Sequence, residues 1–287
     1  MNQYVIFTDS SSDLPASVVQ QLEISVLPLE VNIEGVGTKM NDEIDIKEFY
    51  EFLRSKKSAK TSAVNMERFT EEFEKTVSEG KDLLYIGFSS GLSATYMAAK
   101  NAAAELSEKY PDRKIIAIDS LCASLGQGLL VKLAVDKKNE GATIEECAAF
   151  VEETKLNMCH WFTVDDLFFL KRGGRVSPAT AVLGTVLQIK PVMHMDDEGH
   201  LINVAKARGR AASITAVFEK MKELAIEPEK QTVYISHGDC YDDAKALADM
   251  VTAEFGITDI LISEVGPVIG AHSGPGTLAL FFLGRER

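Results

Sequence analysis

The stretch Leu83-Leu84-Tyr85-Ile86-Gly87-Phe88-Ser89-Ser90-Gly91-Leu92-Ser93 decides the fold class, because an apolar run passes directly into a glycine- and serine-rich turn. Such a continuous apolar run is typical of a parallel strand covered on both faces. The alanine-rich segment from Ala94 to Leu106 follows and predicts a helix. Apolar runs at Tyr4-Val5-Ile6-Phe7 and Ile115-Ile116-Ala117-Ile118 also lead into polar turns. The sequence therefore predicts an α/β protein whose helices separate parallel strands.

The second half of the chain has a different pattern. A basic glycine loop, Lys171-Arg172-Gly173-Gly174-Arg175, precedes a predicted helix that reaches about Leu187. Residues 189–204 predict a β-hairpin that turns at Asp196-Asp197-Glu198-Gly199, and two further alternations of helix and strand follow. We therefore predict two α/β domains, an N-terminal domain over residues 1–158 with a largely parallel sheet and a C-terminal domain over residues 159–287 that contains the hairpin.

Composition excludes several classes of function. The net charge of -13 opposes binding to nucleic acid and stable docking on anionic lipid unless a local basic patch overcomes it. No apolar stretch approaches the roughly 18 residues that span a bilayer, and residues 1–6 lack a basic leader, so we expect a cytoplasmic protein. The four cysteines form no CxxC pair, which favours buried thiols over disulfides or zinc ligands. They are Cys122, Cys147, Cys159 and Cys240.

Hydroxyl-rich turns follow three of the predicted strands. They are Thr8-Asp9-Ser10-Ser11-Ser12-Asp13, the turn from Ser89 to Ser93, and Asp119-Ser120. Ligands of open α/β sheets bind at the carboxyl ends of the strands, and a helix that starts near Ser93 would direct its positive end to the same place. Each residue alone is better explained as a helix cap, but their combination favours a site for a carboxylate or phosphate.

The stretch His272-Ser273-Gly274-Pro275-Gly276 supports two interpretations. Glycines around a histidine let backbone approach a ligand closely, and a neutral imidazole can donate one hydrogen bond to an anion. The same residues also fit a turn that simply exposes the histidine.

The motif Gly87-Phe88-Ser89-Ser90-Gly91 matches the G-x-S-x-G nucleophile elbow, with His237 and His272 later in the chain. No HGGG-type oxyanion segment precedes it, so a serine hydrolase with Ser89 as nucleophile stays the alternative hypothesis. No P-loop and no dinucleotide fingerprint is present. His194 and His200 lack metal-ligand spacing. Asp239, Asp242 and Asp243 could ligate a divalent cation, but acidic residues at the start of a helix more often stabilise its dipole, and we predict no metal.

The order of motifs along nearly the whole chain resembles the DegV family. The motifs are Thr8-Asp9-Ser10, Pro28-Leu29-Glu30-Val31, Thr61-Ser62, Ser89 to Thr95, Asp119-Ser120, Lys171 to Ser177, Lys190-Pro191 and His272 to Gly276. That family includes the fatty-acid-binding subunits of bacterial fatty acid kinase, which bury one acyl chain between two α/β domains. The resemblance implies a non-catalytic, lipid-binding carrier with one long-chain fatty acid as ligand and no other cofactor. It also implies an ATP-dependent kinase as partner, acyl phosphate for phospholipid synthesis, and transient contact with a membrane or an acyltransferase.

Carried over by position, Thr61, Ser93 and His272 are similar to the carboxylate-binding residues of the family. Hydroxyl and imidazole donors suit a carboxylate that is costly to bury unpaired. The resemblance also implies supporting roles for two serines and contacts to the kinase or the acyl phosphate for three arginines. These residues are Ser62, Ser90, Arg172, Arg175 and Arg208.

One departure from the family pattern concerns the loop after Thr61. The family often continues with Gln-Pro-Ser, whereas this chain has Ala63-Val64-Asn65. Without the proline, the rigidity of this loop and therefore the position of Thr61 are expected to differ from the family pattern. We further hypothesise that an acyl tunnel is lined by apolar residues of the turn and of the second half. The candidates are Leu92, Met97, Phe162, Leu167, Phe168, Leu183, Val186 and Leu187.

Overall fold

A computed structural model of the chain describes residues 3–177 and 188–287. Its first sheet has four parallel strands in the order β2-β1-β6-β7. These are β1 (Tyr4–Asp9), β2 (Ser25–Leu27), β6 (Asp82–Gly87) and β7 (Ile115–Asp119). The predicted parallel sheet is therefore confirmed. The helices of this half are α1 (Ala16–Leu22), α2 (Ile46–Arg54), α3 (Met66–Ser78), α4 (Thr95–Lys109), α5 (Ser124–Asn139) and α6 (Ile144–Thr154).

A three-stranded antiparallel sheet lies beside the parallel one, in the order β4-β3-β5. Its strands are β3 (Glu30–Ile33), β4 (Gly37–Met40) and β5 (Ala59–Ser62). Thr61 pairs with Val31, and Ser62 pairs with Glu30. Successive residues of a strand face opposite sides, so this register directs Thr61 and Ser62 to opposite faces.

The second large sheet has six strands in the order β10-β9-β8-β13-β11-β12. All of its neighbouring pairs are antiparallel except the parallel pair β11 and β12. The strands are β8 (Met158–Thr163), β9 (Ile189–Met195), β10 (Leu201–Arg208), β11 (Val233–His237), β12 (Ile260–Glu264) and β13 (Leu278–Leu283). Its helices are α7 (Phe168–Arg172), α8 (Arg210–Leu224), α9 (Tyr241–Phe255) and α10 (Pro267–Ser273). The β9–β10 pair confirms the predicted hairpin, and the first strand of this sheet begins at the predicted domain boundary, which itself stays a prediction.

Helix α5 joins the two large sheets. Its Leu125 and Leu129 are buried in one continuous core with Ile86 of the parallel sheet and with Phe162 and Phe281 of the second sheet. Because both faces of the helix meet apolar side chains, nearly its whole first half is buried, as expected of a helix without a polar face.

Helix α10 returns from the second half of the chain to pack on the first. The Val268 N–H donates to Asn41 Oδ1 at 3.0 Å, and the Tyr50 hydroxyl donates to the Val265 carbonyl at 2.8 Å. Arg54 also pairs with Asp239. These contacts hold the start of α10, and the turn after β11, against the first half of the chain. Within the described ranges, no helix combines the length and apolarity needed to cross a membrane.

Candidate functional site

A cavity of about 280 Å³ lies between the two large sheets. Its wall is mainly apolar, and polar groups are confined to a few positions, which is the usual construction of a small-molecule site. Strand ends, the starts of α4 and α5, and helix α10 all contribute to it. The apolar lining includes Leu29, Phe88, Leu92, Phe162, Leu170, Met195, Leu201, Val265, Val268, Ile269, Ala279 and Phe281.

Thr61 and His272 meet at the wall of this cavity. Thr61 Oγ1 lies 2.8 Å from His272 Nε2, although the two residues are 211 positions apart in the chain. Burial, with smaller contributions from Arg175 and Arg172, lowers the pKa of His272 to about 4. The imidazole is therefore neutral at pH 7, so it offers one donor and one acceptor nitrogen and no countercharge.

The position of His272 depends on a close approach by the basic glycine loop. A Cβ on Gly173 would overlap the Nδ1 of His272, so only glycine fits there without displacing the ring. That Nδ1 is buried and has no hydrogen-bond partner within residues 3–177 and 188–287. His272 lies in the last turn of α10 and is partly buried, so of its two interpretations the simple exposed turn is wrong.

Ser93 lies on the same cavity, just before α4. Its Oγ accepts from the Thr95 N–H at 3.2 Å and lies 2.9 Å from Thr95 Oγ1. The Nε and an Nη of Arg175 donate to the Leu92 carbonyl at 3.1 and 3.0 Å, and Arg175 itself lines the cavity. Arg175 thus stabilises the turn that presents Ser93, where the positive end of α4 favours an anion.

The other predicted residues lie farther from the cavity. Ser62 and Ser90 are exposed, and the Ser90 N–H donates to Asp119 Oδ1 at 3.1 Å. Arg172 is exposed and lies over the ring of Phe169 at 4.8 Å. Arg208 is exposed at the end of β10. None of these four is among the described residues that line the cavity.

The candidate nucleophile Ser89 is fully buried and donates its hydroxyl proton to the Gly199 carbonyl at 2.8 Å. Its Oγ also accepts from the Gly91 N–H at 3.2 Å. A nucleophilic serine needs a base that accepts its proton, and a backbone carbonyl cannot do this. The geometry therefore does not support the hydrolase alternative.

The proposed tunnel residues divide into three groups. Leu92 and Phe162 line the cavity, and Leu167 is buried in the adjoining core. Met97 and Phe168 are 45% and 56% exposed and do not line it. The other three candidates, Leu183, Val186 and Leu187, lie outside the described residues.

The loop after Thr61, which lacks the proline of the family pattern, is held by a helix cap and by a contact to the core. The Asn65 side chain accepts from the Arg68 N–H at 2.9 Å and caps α3, while Val64 is buried in the apolar core of the first half. The helix cap holds the loop at Asn65, and the contact to the core holds it at Val64.

Several polar residues on the cavity wall had no signal in the sequence. Ser124, Ser236 and His160 all line it and are all buried. His160 has a fixed role, because its Nε2 accepts from the Ala123 N–H at 3.2 Å and its Nδ1 lies 2.9 Å from the Met158 carbonyl. The cysteines are free thiols, and three of the four are buried.

Known proteins resemble this chain along its whole length. A DegV domain-containing protein from Clostridium perfringens is 46% identical over 99% of this chain and 98% of its own. A structure described as fatty acid binding of a DegV family protein from Thermus thermophilus superposes with a TM-score of 0.87 at 30% identity, covering 99% of this chain and 100% of the other. DegV from Bacillus subtilis, described as a fatty acid binding protein, superposes with a TM-score of 0.85 at 27% identity, covering 99% of this chain and 100% of the other. The family model for the uncharacterised DegV proteins matches residues 3–285, and the chain belongs to the DegV family.

Proposed function

We propose that this protein binds one long-chain fatty acid in the cavity, with the carboxylate held by Thr61, His272 and Ser93. The observation that carries the proposal is the Thr61–His272 pair, a polar contact at the wall of an otherwise apolar cavity. The relatives from Thermus thermophilus and Bacillus subtilis, which are described as fatty acid binding, support it.

The two parts of a fatty acid match the two parts of the site. Each CH₂ group buried in the apolar part contributes about 0.8 kcal/mol. The carboxylate is costly to bury unless donors replace its water. Hydroxyls of Thr61 and Ser93, the neutral imidazole of His272 and the first turn of α4 are suited to supply those donors.

We further propose that the protein is a carrier, which presents the carboxylate to a separate ATP-dependent fatty acid kinase that forms acyl phosphate. A second cavity of about 270 Å³ lies on the other side of the Thr61–His272 pair and is lined by Lys60, Arg172 and Arg175 as well. Positive side chains at that position suit an incoming phosphoryl group. The acyl phosphate would then serve phospholipid synthesis.

Native mass spectrometry of the purified protein, followed by denaturing extraction and lipid analysis, tests the binding proposal. One co-purified fatty acid per chain is the expected result. An empty protein that also takes up no added fatty acid would contradict it.

The carrier proposal is tested separately with a bacterial fatty acid kinase catalytic subunit and labelled ATP. Loaded protein is expected to yield acyl phosphate only when the kinase is present. Arg172→Ala is expected to reduce acyl phosphate formation more than it reduces fatty acid retention, since Arg172 lines the second cavity but not the first.

A further inference from the structure

Three buried side chains form a hydrogen-bonded array that ends on the wall of the acyl cavity. Ser124 Oγ donates to Asp13 Oδ2 at 2.6 Å and lies 3.1 Å from Ser236 Oγ. Asp13, Ser124 and Ser236 are 8%, 6% and 0% exposed. Both serines line the cavity, whereas Asp13 lies behind them.

The backbone is shaped to bring this array together. Asp13 and Ser124 both adopt left-handed conformations, with φ of 52° and 53°, which non-glycine residues rarely adopt. Such conformations persist where the surroundings determine them, and they cluster at functional sites. The residues come from the turn after β1, the start of α5 and the next-to-last position of β11, so the array joins both halves of the chain.

The array has hydrogen-bonding capacity left at its cavity end. When Asp13 is ionised, Ser236 donates to Ser124, which donates to Asp13, and the Ser236 oxygen can still accept a hydrogen bond. When Asp13 is protonated the direction reverses, and the Ser236 hydroxyl has a proton to donate. Burial raises the pKa of Asp13 to about 7, so both directions are available near neutral pH. Within the described residues, Ser236 Oγ has no partner other than Ser124.

We propose that Ser236, supported by Ser124 and Asp13, is a subsite for an oxygen substituent on the acyl chain, so that the cavity favours a long-chain fatty acid hydroxylated at one position. This inference rests on the proposed fatty acid binding. A ligand hydroxyl at that position gains a partner, whereas the same hydroxyl elsewhere along the chain is buried against apolar side chains without one.

Displacement of a fluorescent fatty acid by stearate and by a series of monohydroxystearate positional isomers tests the proposal. One isomer, or two adjacent ones, is expected to bind at least about tenfold more tightly than the other isomers. In Ser236→Ala that advantage is expected to disappear. Ser263→Ala is the matched control, because Ser263 is a buried serine paired with Ser236 on the neighbouring strand but does not line the cavity.

The outcomes separate this subsite from the proposed function. Isomers that all bind alike, or an advantage that persists in both Ser236→Ala and Ser124→Ala, would overturn the subsite. Ser124→Ala gives the same answer if the Ser236 variant does not fold, while Ser236→Thr, which keeps the hydroxyl, is expected to retain the preference. Wild-type protein that binds no stearate and none of the isomers would instead refute fatty acid binding itself, and the subsite with it.

Discussion

Replacing Thr61 by Val removes one hydroxyl from the proposed carboxylate site and keeps the shape of the side chain. If Thr61 donates to the carboxylate, the variant loses a hydrogen bond to a charged group, which contributes about 1.5–3 kcal/mol. At 1.4 kcal/mol for each factor of ten, fatty acid affinity should fall by about 10- to 150-fold. The empty protein also loses the 2.8 Å contact to His272, and we expect its unfolding free energy to fall by about 1 kcal/mol.

Competition against a fluorescent fatty acid measures the change in affinity, and urea unfolding of delipidated protein measures the change in stability. Ser62→Ala is the matched control, because Ser62 is the next residue of β5, is exposed and faces away from Thr61. We expect that control to bind like wild type. Equal affinity in Thr61→Val and wild type, or an equal loss in both variants, would refute the assignment of Thr61 to the head group.

Three other perturbations test the neighbouring residues. Gly173→Ala should displace His272 and weaken fatty acid binding by more than about tenfold. Gly174→Ala, at a residue with φ of +73°, should lower the unfolding free energy by about 1 kcal/mol and leave fatty acid affinity unchanged. Similar fatty acid affinities in the two variants would contradict this. The pKa of His272 lies near 4 in the folded protein and near 6.5 in the unfolded chain. The stability that comes from burying the neutral imidazole is therefore fully present above pH 6.5 and is lost as pH falls towards 4. Wild type should therefore lose about 3 kcal/mol more than His272→Gln over that interval in urea unfolding, and parallel curves would disprove the burial argument. Ser89→Ala should lower the unfolding free energy by about 1 kcal/mol without affecting fatty acid binding. Wild type should not react with a fluorophosphonate probe. Labelling of wild type that disappears in Ser89→Ala would instead support the hydrolase hypothesis.

The long elements of the fold could be predicted from the sequence because their patterns are local. The apolar runs that became β1, β6 and β7 each consist of residues that follow one another directly in the chain. Strands β3 and β4 were missed because four residues are too few for an alternating pattern to stand out. Helix α10 was missed because its seven residues include a proline and a glycine, and its stability comes from packing against Asn41 and Tyr50.

The site was only partly predictable, because its contacts join distant segments. Thr61 and His272 were proposed by resemblance, but their contact spans 211 positions and follows from the β5 register and the return of α10. The serines of the buried array had no signal at all, since one serine at the start of a helix and one within a strand are ordinary in any sequence. Only the fold brings Ser124 to Asp13 and Ser236, which lie 111 and 112 positions away from it. A sequence motif can therefore indicate polar residues such as Thr61 and His272 on the wall of the cavity, whereas the Asp13–Ser124–Ser236 array depends on tertiary contacts that local pattern does not encode.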